Sequence, residues 1–387
     1  MKVDFINLKD IGGIPSLTLN NLDPKMNIIC GENGVGKTNI LDALAYVFSQ
    51  NDNNVLNKRA GSIVGKITLN LDSFDEPLIT DVHEFEPSTY TRSRHNFSHL
   101  LDPTQIIYLK VNRVFDYYYQ ESIGRVDRTN YRISTHTKGV DNKDLKEWFV
   151  HRILLRNTPE AINESERKNI EKAIECFSIL DENIKFKTVN KFNEIIVNTP
   201  TGDIFFEYLS SGFKSTLFIV LGIIKELDYR FFDSHINYLD FKGLILIDEV
   251  ELHLHPEWQG KIAKILKDTF PNAQFFITTH SPHIIQSSLQ NEVIALERKD
   301  GEVERRNLPN SKYGYQGWTI EEILEDVMGM PDLRTKMYNH IKKTFDDALD
   351  LLDKKKAQEA FNELDKMLHP QYPLRQLFKM QLDSLGE

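Results

Sequence analysis

Hydrophobic and polar positions alternate along the first stretch of the chain and then change period. Lys2–Leu8 and Ser16–Asn20 read as strands separated by a turn at Gly12, Gly13 and Pro15, and Lys25–Cys30 is a short apolar run followed by glycine. From Asn39 to Phe48 the residues Ile40, Leu41, Leu44, Ala45 and Phe48 recur at three-to-four spacing, which predicts a helix. Period two returns at Ile63, Ile67, Leu69 and Leu71, predicting a hairpin of strands over 63–86, and QIIYLKV over 105–111 predicts another strand. The pattern then breaks. Residues 113–138 are rich in Tyr, Arg and Thr without a clear period, and helical spacing resumes over 141–180 at Leu145, Trp148, Phe149, Ile153, Ile170, Ile174 and Phe177. Strands are expected at 184–208, then a helix at 211–230, a buried strand Leu244–Ile247, a helix at 256–269 and a strand Gln274–Thr278. Strands alternating with helices at this rhythm mean an α/β sheet. From Thr319 onward the chain is helical, divided by Pro331, Lys354-Lys355-Lys356 and His369-Pro370 into short helices.

Composition narrows the class. With 387 residues, 40% hydrophobic and 27% charged, the chain is ordinary globular material able to bury sizeable cores. Its longest apolar stretch, Leu217–Ile224, falls far short of the ~20 residues that span a bilayer. The opening MKVDFINLKD carries Asp4 and lacks the apolar region of a signal peptide, and two cysteines, Cys30 and Cys176, suit a reducing cytosol. A cytoplasmic protein is expected. The formal charge of −10 argues against a bulk electrostatic grip on nucleic acid.

The chemistry begins at Gly31-Glu-Asn-Gly-Val-Gly36-Lys37-Thr38, a full match to G-x-x-x-x-G-K-[ST] lying between a predicted strand and a predicted helix. Glycines at this spacing let backbone N–H groups wrap phosphates, and the helix N-terminus adds partial positive charge. Asn33, Gly34, Val35, Gly36, Lys37, Thr38 and Asn39 are therefore expected to bind ATP. Lys37 would reach the β- and γ-phosphates, and Thr38 would offer its hydroxyl to Mg²⁺. A second piece is Leu244–Ile247 followed by Asp248 and Glu249, an unbroken apolar strand with two carboxylates at its C-terminal end, where open α/β sheets bind ligands. Asp248 would hold Mg²⁺ and Glu249 would polarise the attacking water. Lys37 and Asp248 stand 211 positions apart, too far for a compact nucleotide core without an insertion. Two further elements fill that frame: Leu209-Ser210-Ser211-Gly212 before a helix, and Thr278-Thr279-His280-Ser281 after a strand.

In that order, GENGVGKTNILDAL, LSSGFKS, LILIDE and TTHSP resemble the ABC-type ATPases of the SMC/RecF group, over roughly residues 1–112 and 190–300. The resemblance implies an α/β ABC-type P-loop head, a mixed sheet flanked by helices, with a short, mostly helical insertion and a C-terminal helical tail. It divides the chain into a first ATPase lobe (1–112), an inserted segment (113–187), a second lobe (188–312) and the tail (313–387). It also implies that Ser210 and Gly212 contact the γ-phosphate of a second subunit in a homodimer or higher even assembly. Glu249 becomes the catalytic base and His280 the switch histidine, acting with Lys37. Ser211 stands where the family has its first glycine, Phe213 where it has Gln or Glu, and Gln105 and Gln120 are the candidates for its Q-loop glutamine. The insertion is too short for the long coiled coil of SMC proteins.

Armless heads with a short helical tail are similar to the PtuA-like ATPase subunits of Septu and retron antiphage systems, and GYQGWTIEEILEDVMG and LLDKKKAQEAFNELDKML carry that likeness. It implies a nucleotide-driven switch that senses a trigger and regulates a separate effector, an HNH-type nuclease. The alternatives are a RecF/SMC-like DNA-repair ATPase, or a regulator of another toxin or of an anticodon nuclease. Three features fall outside this frame. His253 and His255 with Glu249 and Glu251 admit a metal site, against structural or interface histidines. Residues 108–138 hold six Lys/Arg, three acids and six aromatics, which suits nucleic acid or a protein partner as well as a solvated insertion. Arg92, Arg94 and His95 make a smaller basic spot.

Overall fold

A computed structural model of the chain describes residues 1–48, 56–83, 101–111, 113, 140, 142–158, 160–309, 311–330 and 332–385. The turn at Gly12-Gly13 folds β1 (Val3–Ile11) back onto β2 (Ile14–Leu19), with Ile11 paired to Ile14. β3 (Met26–Gly31) is buried at every position and leads through the glycine loop into α1 (Lys37–Phe48). β4 (Gly65–Leu71) and β5 (Leu78–Val82) complete an antiparallel sheet of order β2-β1-β4-β5. β6 (Ile106–Leu109) is shorter than the strand expected over 105–111, because Pro103–Gln105 closes a 3₁₀ turn ahead of it.

Next come α2 (Asn142–Leu155) and α3 (Glu164–Glu175), the latter opened by a capping box between Asn163 and Glu166. β7 (Lys185–Val189), β8 (Ile195–Thr199) and β9 (Gly202–Phe205) form a small antiparallel sheet. α4 (Ser211–Arg230) is buried almost all round, as a helix in the middle of a core must be. β10 (Leu244–Ile247), α5 (Pro256–Thr269), β11 (Gln274–Thr278), α6 (Pro282–Gln286), β12 (Val293–Lys299) and β13 (Glu302–Arg305) follow.

The central sheet has the order β13-β12-β3-β11-β10-β6. Its neighbours from β12 to β6 run parallel, and β13 closes one edge antiparallel. Period two sorts its side chains between two cores. Ile107, Leu109, Ile245, Ile247, Phe275 and Ile277 face the layer containing α2, α3 and α4, while Ile106, Tyr108, Leu244, Leu246 and Phe276 face α1 and the antiparallel sheet. Apolar burial on both faces explains the unbroken hydrophobic runs in these strands.

The inserted helices belong to this core. Trp148, Phe149 and Phe177 lie in the same buried cluster as Leu217 and Ile247. Buried ion pairs fasten them: Arg152 to Asp228 at 2.6 Å and Glu166 at 2.9 Å, and Lys146 to Glu194 and Glu207, both at 2.6 Å.

Two compact units divide the chain at Gly329 and Met330. The stretch from 313 to 329, grouped with the tail on sequence, contributes Tyr315, Ile323, Val327 and Met328 to the main core. Only Met330–Glu387 stands as a separate unit, of α7 (Lys336–Asp350), α8 (Lys354–Met367) and α9 (Leu374–Asp383). Phe345 anchors its core, with its ring centroid 5.5 Å from that of Phe378. Among the described residues no helix is long and apolar enough to cross a membrane.

Candidate functional site

Gly31, Gly34 and Gly36 all adopt positive φ, and two of them have no room for a side chain. A β-carbon at Gly31 would stand 2.3 Å from the Leu296 carbonyl, and one at Gly36 would stand 2.6 Å from Ile14. The loop is thus shaped by the sheet beside it as well as by its own sequence. Asn33 and Gly34 are exposed at its tip, Val35 is buried beneath, and the Gly34 carbonyl accepts a hydrogen bond from Arg298. Asn39 packs its carboxamide under the β1–β2 turn, where a β-carbon at Gly12 would meet Nδ2 at 2.3 Å.

Lys37 is buried, and its ammonium donates to the carbonyls of Gly31 and Glu32, each at 3.0 Å. Burial lowers its pKa from the ordinary lysine value, against the pull of nearby Cys30, Glu251, Glu249 and Asp248. Thr38, the next residue, points the other way: its hydroxyl lies 3.2 Å from both carboxylate oxygens of Asp248. The two residues meet because β10 and β3 flank β11 in the same sheet, so their C-terminal ends share one edge.

Three side chains hold this edge together in roles that the sequence did not assign to them. Thr278, the last residue of β11, donates its hydroxyl to Asp248 Oδ1 at 2.6 Å and accepts from the Glu249 N–H at 2.7 Å. Arg113, 2% exposed, donates Nη2 to the Asp248 carbonyl. Burial lowers its pKa to about 10, which keeps it charged at neutral pH. Glu251 accepts the His280 N–H at 2.5 Å and so ties the histidine to the turn after β10. Thr278 stood at the head of the TTHS run and Glu251 beside His253 and His255, but neither place pointed to these contacts. Partial burial, followed by the Lys37 charge, lowers the His280 pKa below the usual histidine range, so the ring is neutral at pH 7.

Ser210 and Ser211 are exposed, and Ser210 caps α4 by accepting from the Phe213 N–H at 3.3 Å. Among the described residues Ser210 makes no hydrogen bond to Lys37, Thr38 or Asp248. Gly212 is pressed against the turn after β10, with the His253 carbonyl 2.7 Å from where its β-carbon would sit. Phe213, the departure from the family pattern, is buried with its ring edge against Trp258.

Gln105 is ruled out as the Q-loop residue. It precedes β6, whose Leu109 is level with Ile247, so it lies roughly 13 Å along the strand from the Asp248 end. Gln120, Arg92, Arg94, His95 and, beyond Tyr108–Val111 and Arg113, the basic aromatic stretch 108–138 lie outside the described residues. His255 caps α5 and packs on Trp258, and among the described residues no group of three or more His, Cys, Asp or Glu is placed to hold a metal ion. Burial pushes the Cys30 and Cys176 thiols up to about 12, so both are inert.

The family model described as "AAA domain, putative AbiEii toxin, Type IV TA system" matches residues 26–286, from the start of β3 to the end of α6. The Septu protein PtuA of Bacillus thuringiensis is 39% identical over 389 residues, covering 98% of each chain. The chain belongs to the PtuA family. It is an ATPase of that family, built on an ABC-type head. The Retron Ec83 probable ATPase of Escherichia coli is 30% identical to this PtuA-family chain over 188 residues, 48% of this chain and 33% of that one. The solved SmcHead bound to the C-winged helix domain of ScpA covers 79% of this chain and 97% of its own, at 16% identity and a TM-score of 0.48.

Proposed function

We propose that this ATPase is the nucleotide-driven regulator of a separate effector nuclease, of HNH type, in bacterial antiphage defence. End-to-end similarity to a Septu protein PtuA carries this reading, because it spans the C-terminal unit as well as the head. The chemistry follows from the edge of the sheet. ATP lies with its phosphates in the Gly31–Thr38 loop, where the backbone N–H groups of Asn33 to Asn39 and the Lys37 ammonium receive the negative charge. The hydroxyl of Thr38 and the carboxylate of Asp248 supply hard oxygen donors 3.2 Å apart, a set that fits Mg²⁺. When bound there, Mg²⁺ neutralises charge on the transferring phosphoryl group. Glu249 takes the proton of the attacking water, and His280, neutral at pH 7, accepts or donates a hydrogen bond beside the γ-phosphate.

Ser210 and Gly212 reach a nucleotide only from a second copy, so the working form is a dimer or a higher even assembly. The exposed position of Ser210 supports this. The C-terminal unit docks the effector, and its exposed Met337, Leu351, Leu352 and Met380, each more than 60% accessible, supply apolar surface for it. Co-expression with an HNH-type nuclease, followed by purification and a DNA-cleavage assay with and without ATP, tests the proposal. A nuclease that neither co-purifies nor changes activity with nucleotide would defeat it.

A further inference from the structure

The peptide unit joining Asp248 to Glu249 is gripped from both sides. Its carbonyl accepts from Arg113 Nη2, and its N–H donates to Thr278 Oγ1 at 2.7 Å. Glu249 itself has φ +47°, in the left-handed region that a side chain with a β-carbon disfavours. Such a conformation persists only where the surroundings over-determine it, and it gathers at active sites. Neighbouring ladder bonds, Asp248 N–H to the Leu109 carbonyl at 3.0 Å and Val250 N–H to the Thr278 carbonyl at 3.1 Å, set the path of the chain. Neither of them bonds to the plane of this one peptide. Arg113 and Thr278 fix it.

A merely structural arginine would spend its fork on several acceptors or leave its head in water. Arg113 does neither. Among the described residues its Nε and Nη1 have no hydrogen-bond partner, and the charge is kept in the interior by attraction to Glu251, Asp248 and Glu249. Among the described residues this buried cation thus meets one carbonyl, the one that precedes the proposed base. We propose that Arg113 is a positioning residue for ATP hydrolysis. Together with Thr278 it clamps the Asp248–Glu249 peptide and so aims the Glu249 carboxylate at the attacking water. The inference rests on Glu249 being the base.

Steady-state kcat and KM for ATP, measured for Arg113→Met in the wild-type and in the Glu249→Gln backgrounds, test it. Methionine fills similar volume while removing the donor and the charge. In the wild-type background kcat should fall about 10- to 100-fold, the usual effect of a small misplacement of a reacting group, with KM within about 3-fold. Arg113→Lys, with a single donor, should recover part of the loss. In the Glu249→Gln background the Met substitution should change nothing further, because there is no base left to aim. Wild-type kcat in Arg113→Met, an equal loss in both backgrounds, or a rise in KM alone would overturn the proposal. Arg113→Gln, shorter than the arginine and uncharged, should show the same background dependence, and this variant decides the matter if the Met protein is insoluble. Full hydrolysis by Glu249→Gln alone would remove the base assignment instead, and the clamp's role with it.

Discussion

At the scale of single residues, the site separates binding from bond-making. Lys37→Ala removes the charge proposed to face the β- and γ-phosphates, and ATP binding, followed with a fluorescent analogue, should be lost. Glu249→Gln leaves that charge in place. Hydrolysis should fall by ~10²–10⁴, the usual worth of a positioned base, while the same analogue still binds. Retained turnover in both variants would mean that the phosphates lie elsewhere. Asp42, one turn into α1, makes a different prediction. Its carboxylate accepts from the Tyr108 hydroxyl at 3.0 Å, and burial raises its pKa from the usual 3.8 to about 6. A carboxyl whose folded pKa is raised favours the fold while protonated, and that contribution fades as pH rises from about 4 through about 6. Asp42→Asn, which can still meet the tyrosine, should therefore stabilise the protein at pH 8 by about 1–2 kcal/mol and show no such gain at pH 4 in urea unfolding. Equal gains at both pH values would contradict the assigned cause.

Elements were legible in the sequence wherever one period ruled. β3, β10 and β11 announced themselves as apolar runs because parallel strands are buried on both faces, and α1 and α4 by their spacing. The glycine loop after β3 and the carboxylates after β10 stood out on sequence as parts of one motif, and the structure brings Thr38 to 3.2 Å from Asp248. The contacts of Arg113, Thr278 and Glu251 were not legible, since each meets a backbone group brought near only by strand order. The helices of the inserted segment showed their spacing on sequence but not their place in the main core. Their polar residues are not a solvated face. Lys146 on α2 is buried between Glu194 and Glu207, and Glu207 lies three residues before Ser210. Lys146→Ala leaves two carboxylates without their shared cation and should cost about 3–5 kcal/mol in denaturant unfolding. A loss under ~1 kcal/mol, the scale of an exposed pair, would show that solvent reaches these groups.

At the scale of the whole molecule, the two units make different demands. Under the proposed arrangement, in which the exposed Ser210 serves the nucleotide of a second copy, assembly should follow ATP. Glu249→Gln with ATP and Mg²⁺ should sediment as a dimer or a higher even assembly, and a monomer under those conditions would sink the trans arrangement. The C-terminal unit has its own small core around Phe345, Leu364 and Phe378. The residues just before it do not belong to it: Tyr315, Ile323, Val327 and Met328 are buried in the head. A cut after Pro309 would strip these from the main core and confuse unfolding with loss of a partner, whereas a cut after Gly329 leaves the core intact. The chain truncated there should remain soluble, hydrolyse ATP as the full chain does, and fail to co-purify with the effector. Unchanged co-purification by the soluble truncation would defeat the docking role. Loss of ATP hydrolysis would instead place the C-terminal unit within the nucleotide cycle, because every residue assigned to binding or hydrolysis lies upstream of Ser281.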